Sequence, residues 1–132
     1  MFLNITAHSL TPEQKEKALE YSNVLIDLKE EDPRLWERLS NCPPDVEILK
    51  ELAKELLHYL EIKYSEAKEK LTLHFPIGSP AFMALFFLQY DKTNMRYRIV
   101  FSHSERKSME ELQANGSVIK KGIFQFVKFI EI

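Results

Sequence analysis

Short, wholly apolar runs alternate along this chain with longer segments whose apolar residues recur at helical spacing. Residues 2–7 (FLNITA) read as a strand buried on both faces. The next segment, Thr11-Pro12-Glu13-Gln14, is composed like a helix start. Thr11 can cap, Pro12 suits the first helical position, and Gln14 stands where a capping box needs it. That helix is expected to run to about Tyr21, with Ala18 and Leu19 inward. Residues 24–28 (VLIDL) predict a second strand, ended by Lys29-Glu30-Glu31-Asp32 and Pro33. Residues 34–39 suit a short helix carrying Trp36, and Asn41-Cys42-Pro43-Pro44 is a break. With Asp45 as cap, Val46, Leu49, Leu52, Ala53, Leu56, Leu57 and Leu60 predict a helix to about Lys63.

Residues 71–75 (LTLHF) give a third strand, closed by Pro76-Ile77-Gly78-Ser79-Pro80. The helix expected over 81–90 is so apolar that it must be largely covered by protein. A fourth strand is predicted at 98–101, and Ser102-His103-Ser104 leads into a short helix over 105–112. Asn115-Gly116 is a turn signal, after which 117–121 and 123–130 read as strands of a closing hairpin. The alternation predicts one α/β domain over residues 1–132. Its expected form is a Rossmann-like, mostly parallel sheet flanked by helices and closing with a C-terminal β-hairpin.

Composition narrows the function classes. Of 132 residues, 45% are hydrophobic and 29% charged, as in ordinary globular proteins. With 18 basic and 20 acidic side chains the net charge is -2, which gives no electrostatic case for long nucleic acid. A small anion held by a local cluster fits that balance. Cys42 is the single cysteine, so no internal disulfide can form, as suits a reducing compartment. The opening MFLNITAHSL lacks the basic region of a signal peptide, and the apolar run at 81–88 is far too short for a membrane span. A cytoplasmic protein without membrane contact is expected.

Candidate chemistry gathers where predicted strands give way to predicted helices. Ligands of open α/β sheets bind beyond the carboxyl ends of the strands. Three junctions should share that rim: His8-Ser9-Leu10-Thr11, Gly78-Ser79-Pro80, and Ser102-His103-Ser104-Glu105-Arg106-Lys107. Helix starts present free N–H groups to anions, with Ser9 and Thr11 at the first of them. Gly78 leaves backbone open to close approach, and Ser79, Ser102 and Ser104 can bond phosphate or ribose oxygens. Arg106 and Lys107 add cations. Each has a plain structural alternative: Ser79 and Ser104 as helix caps, His8 and His103 as surface histidines, Arg106 and Lys107 as a solvated face. His8, His58, His74 and His103 show no metal-ligand spacing with one another or with Cys42, and no metal or other cofactor is expected. There is also no G-x-S-x-G elbow.

The same segments carry a resemblance. His8-Ser9-Leu10-Thr11-Pro12-Glu13-Gln14 resembles the S/N-H-x-L-T-x-E-Q opening of a small family of type III CRISPR-associated proteins. Trp36 with Pro43-Pro44-Asp45, the loop at Gly78-Ser79, and Ser102 to Lys107 followed by Glu110-Glu111 continue the similarity. It closes with Asn115-Gly116-Ser117-Val118 and residues 124–129 (FQFVKF). Two positions depart: Ile77 stands where the pattern often has an acidic residue, and Phe126 where it often has histidine.

The resemblance implies a relative of the CARF domains that sense cyclic oligoadenylates. It further implies a homodimeric ring nuclease with the ligand, such as cyclic tetra-adenylate, across the two-fold axis. Such an enzyme works without metal, letting each ribose 2′-hydroxyl attack its neighbouring phosphate and leaving a 2′,3′-cyclic phosphate. In that scheme Gly78 and the N–H groups after it hold a phosphate, and Ser79 or Ser102 orients the ribose. Arg106 or Lys107 stabilises the developing charge, and His8 or His103 is the acid or base. His8, Ser104 and Arg106 are the foremost catalytic candidates. Two alternatives stay open: a module that sequesters the ring uncut, and an interaction protein with no nucleotide ligand.

Overall fold

A computed structural model describes residues 1–90 and 96–132. The elements in chain order are β1 (Phe2–Asn4), α1 (Pro12–Ala18), β2 (Leu25–Asp27), α2 (Leu28–Glu31) and α3 (Pro33–Ser40). There follow α4 (Val46–Glu66), β3 (Thr72–Phe75), α5 (Pro80–Tyr90), β4 (Arg98–Leu112) and β5 (Val118–Glu131). They build an α/β fold around a five-stranded sheet of order β2-β1-β3-β4-β5. The first four strands are parallel and β5 is antiparallel to β4.

Helix starts follow the chemistry of their caps. Thr11 and Gln14 form a reciprocal capping box ahead of Pro12. Asp45 accepts from the N–H groups of Glu47 and Ile48 at 3.0 and 3.1 Å and opens the 21-residue α4. Leu49, Leu52, Ala53, Leu56 and Leu60 form its buried stripe. The sheet separates two cores. Leu3, Leu73 and Ile99, side by side in register, face the helical layer with Leu56, Phe82 and Phe86. Phe2, Val100 and Phe129 face the other way, against Ala18 of α1.

Four expectations need correction. The helix expected over 105–112 is strand: β4 runs unbroken to Leu112, paired with β5 residue by residue from Ser104↔Phe126 to Leu112↔Val118. The hairpin therefore consists of β4 and β5 around Gly116, not of two strands after that turn. Cross-strand pairing outweighs the helical propensity of Glu, Arg, Lys and Met in this stretch. The third junction, Ser102 to Lys107, is thus a continuing strand with a bulge between His103 and Ser104. Helix α5 is covered on one side only: Phe82, Phe86 and Tyr90 are buried, while Leu88 is 67% exposed.

Candidate functional site

The sheet order places the switch in strand order between β1 and β3, where the chain leaves to build β2 on one side and returns to build β3 on the other. The carboxyl ends of these strands frame the crevice in which such folds bind ligands. Register lines up Asp27, Asn4, His74 and Val100 in one row across β2, β1, β3 and β4. Laterally paired residues of a sheet project to the same face, here that of α1. Ser102, two residues beyond Val100, shares it.

A continuous chain of hydrogen bonds links them. Asn4 Nδ2 donates to Asp27 Oδ1 at 3.1 Å and to the His8 carbonyl at 2.9 Å. Asn4 Oδ1 accepts from the Thr6 hydroxyl at 2.8 Å and lies 2.9 Å from His74 Nδ1. His74 Nε2 lies 2.7 Å from Ser102 Oγ, which accepts from Gln14 Nε2 at 2.9 Å. Since the Asn4 amide nitrogen is already donating, its oxygen must face a donor, and the proton of His74 belongs on Nδ1. Nε2 then carries the lone pair and takes the proton of Ser102. Gln14 serves twice, its Oε1 accepting from Thr11 N–H at 2.8 Å in the capping box.

His74 is 2% exposed, with Phe2 and Phe129 ring centroids at 5.9 and 5.0 Å. Burial pushes its pKa down to about 4, so the ring is neutral. Burial also raises the Asp27 carboxyl, with the Asn4 hydrogen bond opposing.

Ser102 opens onto a cleft of about 340 Å³ lined by Thr6, Ala7, His8, Gln14, His74 and residues 75–78. That is the lower end of the usual ligand-site range, roughly 300–1,000 Å³. Hollows of about 560 and 600 Å³ lie beside the Arg38–Glu55 ion pair and along α5. The first is lined mostly by charged side chains and the second by aliphatic and aromatic ones, and neither holds the buried polar chain.

Several expected residues meet here. His8, Gly78 and Ser102 line one cleft, with Thr11 behind Gln14. Others do not. The Ser79 hydroxyl caps α5 by accepting from Phe82 N–H at 3.2 Å, and Pro80 has no N–H, so that helix start offers an anion little. Gly78, at φ +72°, has its Cβ position 2.6 Å from the Leu39 carbonyl; glycine is needed there by neighbouring chain. Ser9 is exposed. His103, Ser104, Arg106 and Lys107 are exposed on the β4–β5 arm, and the Arg106 guanidinium folds over Gly122.

Sequence reasoning missed Asn4, Thr6, Asp27 and His74. The signal was a single polar residue near the carboxyl end of an otherwise apolar strand, as in FLNI, LID and LTLHF. Among the described residues, no three His, Cys, Asp or Glu side chains are grouped to hold a metal, and no helix is long and apolar enough to cross a membrane. No curated protein and no solved structure matches the chain. A family model matches residues 1–130, and by that match the chain belongs to the Uncharacterized protein MJ1673 family.

Proposed function

We propose that this protein binds a cyclic oligoadenylate in the cleft at the ends of β1, β3 and β4, and cleaves it without metal. One observation carries the reading: segments that bear the resemblance, far apart in sequence, line the same cleft. Their residues in the cleft are His8 and Gln14, Gly78, and Ser102. Polar tips on its walls, Ser102 Oγ and Gln14 Nε2, suit a ribose and its hydroxyls. Holding the 2′-hydroxyl in line with the next phosphate supplies several kcal/mol of the barrier, enough for a slow enzyme that removes a signal.

The working form is a homodimer in a cytoplasmic setting. The β4–β5 arm supports it, for Leu112 and Phe124 are 74% and 77% exposed there. A lone two-stranded ribbon is barely stable in water, and a second copy gives these side chains somewhere to bury. The direct test incubates purified protein in excess with radiolabelled cyclic tetra-adenylate and a chelator. Linear products ending in 2′,3′-cyclic phosphate are expected; an intact ring after prolonged incubation contradicts cleavage.

A second reading, retention of the ring uncut, is favoured by one feature: the described residues lining the cleft include no Lys or Arg to meet developing charge. Tight binding with no product selects it.

A further inference from the structure

The buried chain behind Ser102 has the order of a catalytic relay: a hydroxyl at the cleft, an imidazole behind it, an amide that fixes the imidazole, and a carboxylate behind the amide. In a site with no chemistry to do, a strand-end histidine among phenylalanines is a costly choice, because its polar atoms must all be satisfied. Here they are satisfied with one direction throughout. Every donor points from α1 toward Asp27: Gln14 to Ser102, Ser102 to His74, His74 to Asn4, Asn4 to Asp27. Such a chain polarises its members cooperatively and readies Ser102 to pass its proton to His74. With one lone pair facing Gln14 and its proton facing His74, the remaining lone pair of Ser102 is free for a hydroxyl of a bound molecule.

We propose that Ser102, His74, Asn4 and Asp27 form a proton relay that draws the proton from a ribose 2′-hydroxyl seated on Ser102 Oγ. The substrate assignment rests on the ring-cleavage reading above; the relay does not. In the step, the 2′-oxygen attacks the adjacent phosphorus, an O2′–P bond forms and the P–O5′ bond breaks. The 2′-hydroxyl proton moves to Ser102 Oγ as the proton of Ser102 passes to His74 Nε2. The departing 5′-oxygen takes a proton from water, and His74 returns its proton through Ser102 to solvent. Asn4 holds the imidazole with Nδ1–H away from the cleft, and the Asp27 carboxylate, one bond further, favours the imidazolium that forms. Ser102 is the residue that touches substrate; His74, Asn4 and Asp27 act through it.

The test compares His74→Gln and Ser102→Ala with the unaltered protein, reading single-turnover cleavage and ring affinity separately. Glutamine can still accept from Ser102 but cannot hold the proton. Loss of a positioned base slows reactions about 10²–10⁴-fold, and a fall of that size with affinity nearly unchanged is expected for His74→Gln. The rate of the unaltered protein should be flat above about pH 5, since His74 titrates near 4, whereas a base of ordinary pKa bends the profile near 6.5. Cleavage by His74→Gln at the unaltered rate overturns the relay and leaves the ring reading standing. If His74→Gln does not fold, Ser102→Ala, altered at a half-buried position, carries the same comparison.

If the unaltered protein leaves the ring intact, a fluorophosphonate replaces it as probe. Attack by Ser102 Oγ on its phosphorus releases fluoride and passes the proton to His74. Mass spectrometry locating the adduct on Ser102, absent from His74→Gln, keeps the relay and discards ring cleavage. No adduct overturns both.

Discussion

His74 sits where a neutral imidazole is at home and a charged one is not, and that asymmetry reaches beyond catalysis. Its folded pKa lies below the unfolded value, so in the interval between them the unfolded chain binds more protons than the folded one. Stability from this group is complete above the unfolded value of 6.5 and is lost progressively as pH falls toward about 4. The full difference amounts to about 3 kcal/mol. Urea unfolding of unaltered protein and His74→Gln at about pH 7.5 and 4.5 should show this: the variant loses less stability on acidification. Equal acid losses in both would mean that His74 is not desolvated as described.

At the scale of elements, the first turn of α1 does two jobs with one residue. Gln14 closes the capping box on Thr11 and, with its other end, holds Ser102 across the sheet. Thr11→Ala should cost about 1 kcal/mol of stability, as lost N-caps do. It should also weaken ring binding, because Gln14 loses the hydroxyl that fixes its turn; a melting shift with unchanged affinity separates capping from positioning. This capping box was legible in residues 11–14, as were Asp45 before α4 and the apolar runs of the parallel strands. Such signals are local, and local chemistry is what a sequence displays. The β4–β5 arm was not legible in the same way. Residues 105–112 carry good helix formers, and only the partner strand some fifteen residues on decides their state, so about half of β4 reads as helix. The site shows the same division. His8, Gly78 and Ser102 stand out at loop edges, whereas Asn4, Asp27 and His74 acquire meaning only when register sets them in one row.

For the whole molecule, the strand order and the arm divide the work: the switch point between β1 and β3 makes the cleft, and the β4–β5 ribbon carries the exposed apolar side chains on which the proposed dimer rests. Arg106 lies four residues beyond Ser102, roughly 13 Å along an extended strand, so its cation acts on the arm rather than on the Ser102 hydroxyl of its own chain. Replacing both Leu112 and Phe124 by glutamate should turn the dimer into a monomer in light scattering, with helix content intact; an unchanged mass would place the dimer contact elsewhere. The most direct measurement of the central claim is a crystal structure of the Ser102→Ala protein with cyclic tetra-adenylate. The ring should occupy the cleft between His8 and Gly78, with a ribose 2′-hydroxyl facing position 102 at hydrogen-bonding range of the absent Oγ. A ring bound anywhere else, or no bound ring at saturating concentration, contradicts it.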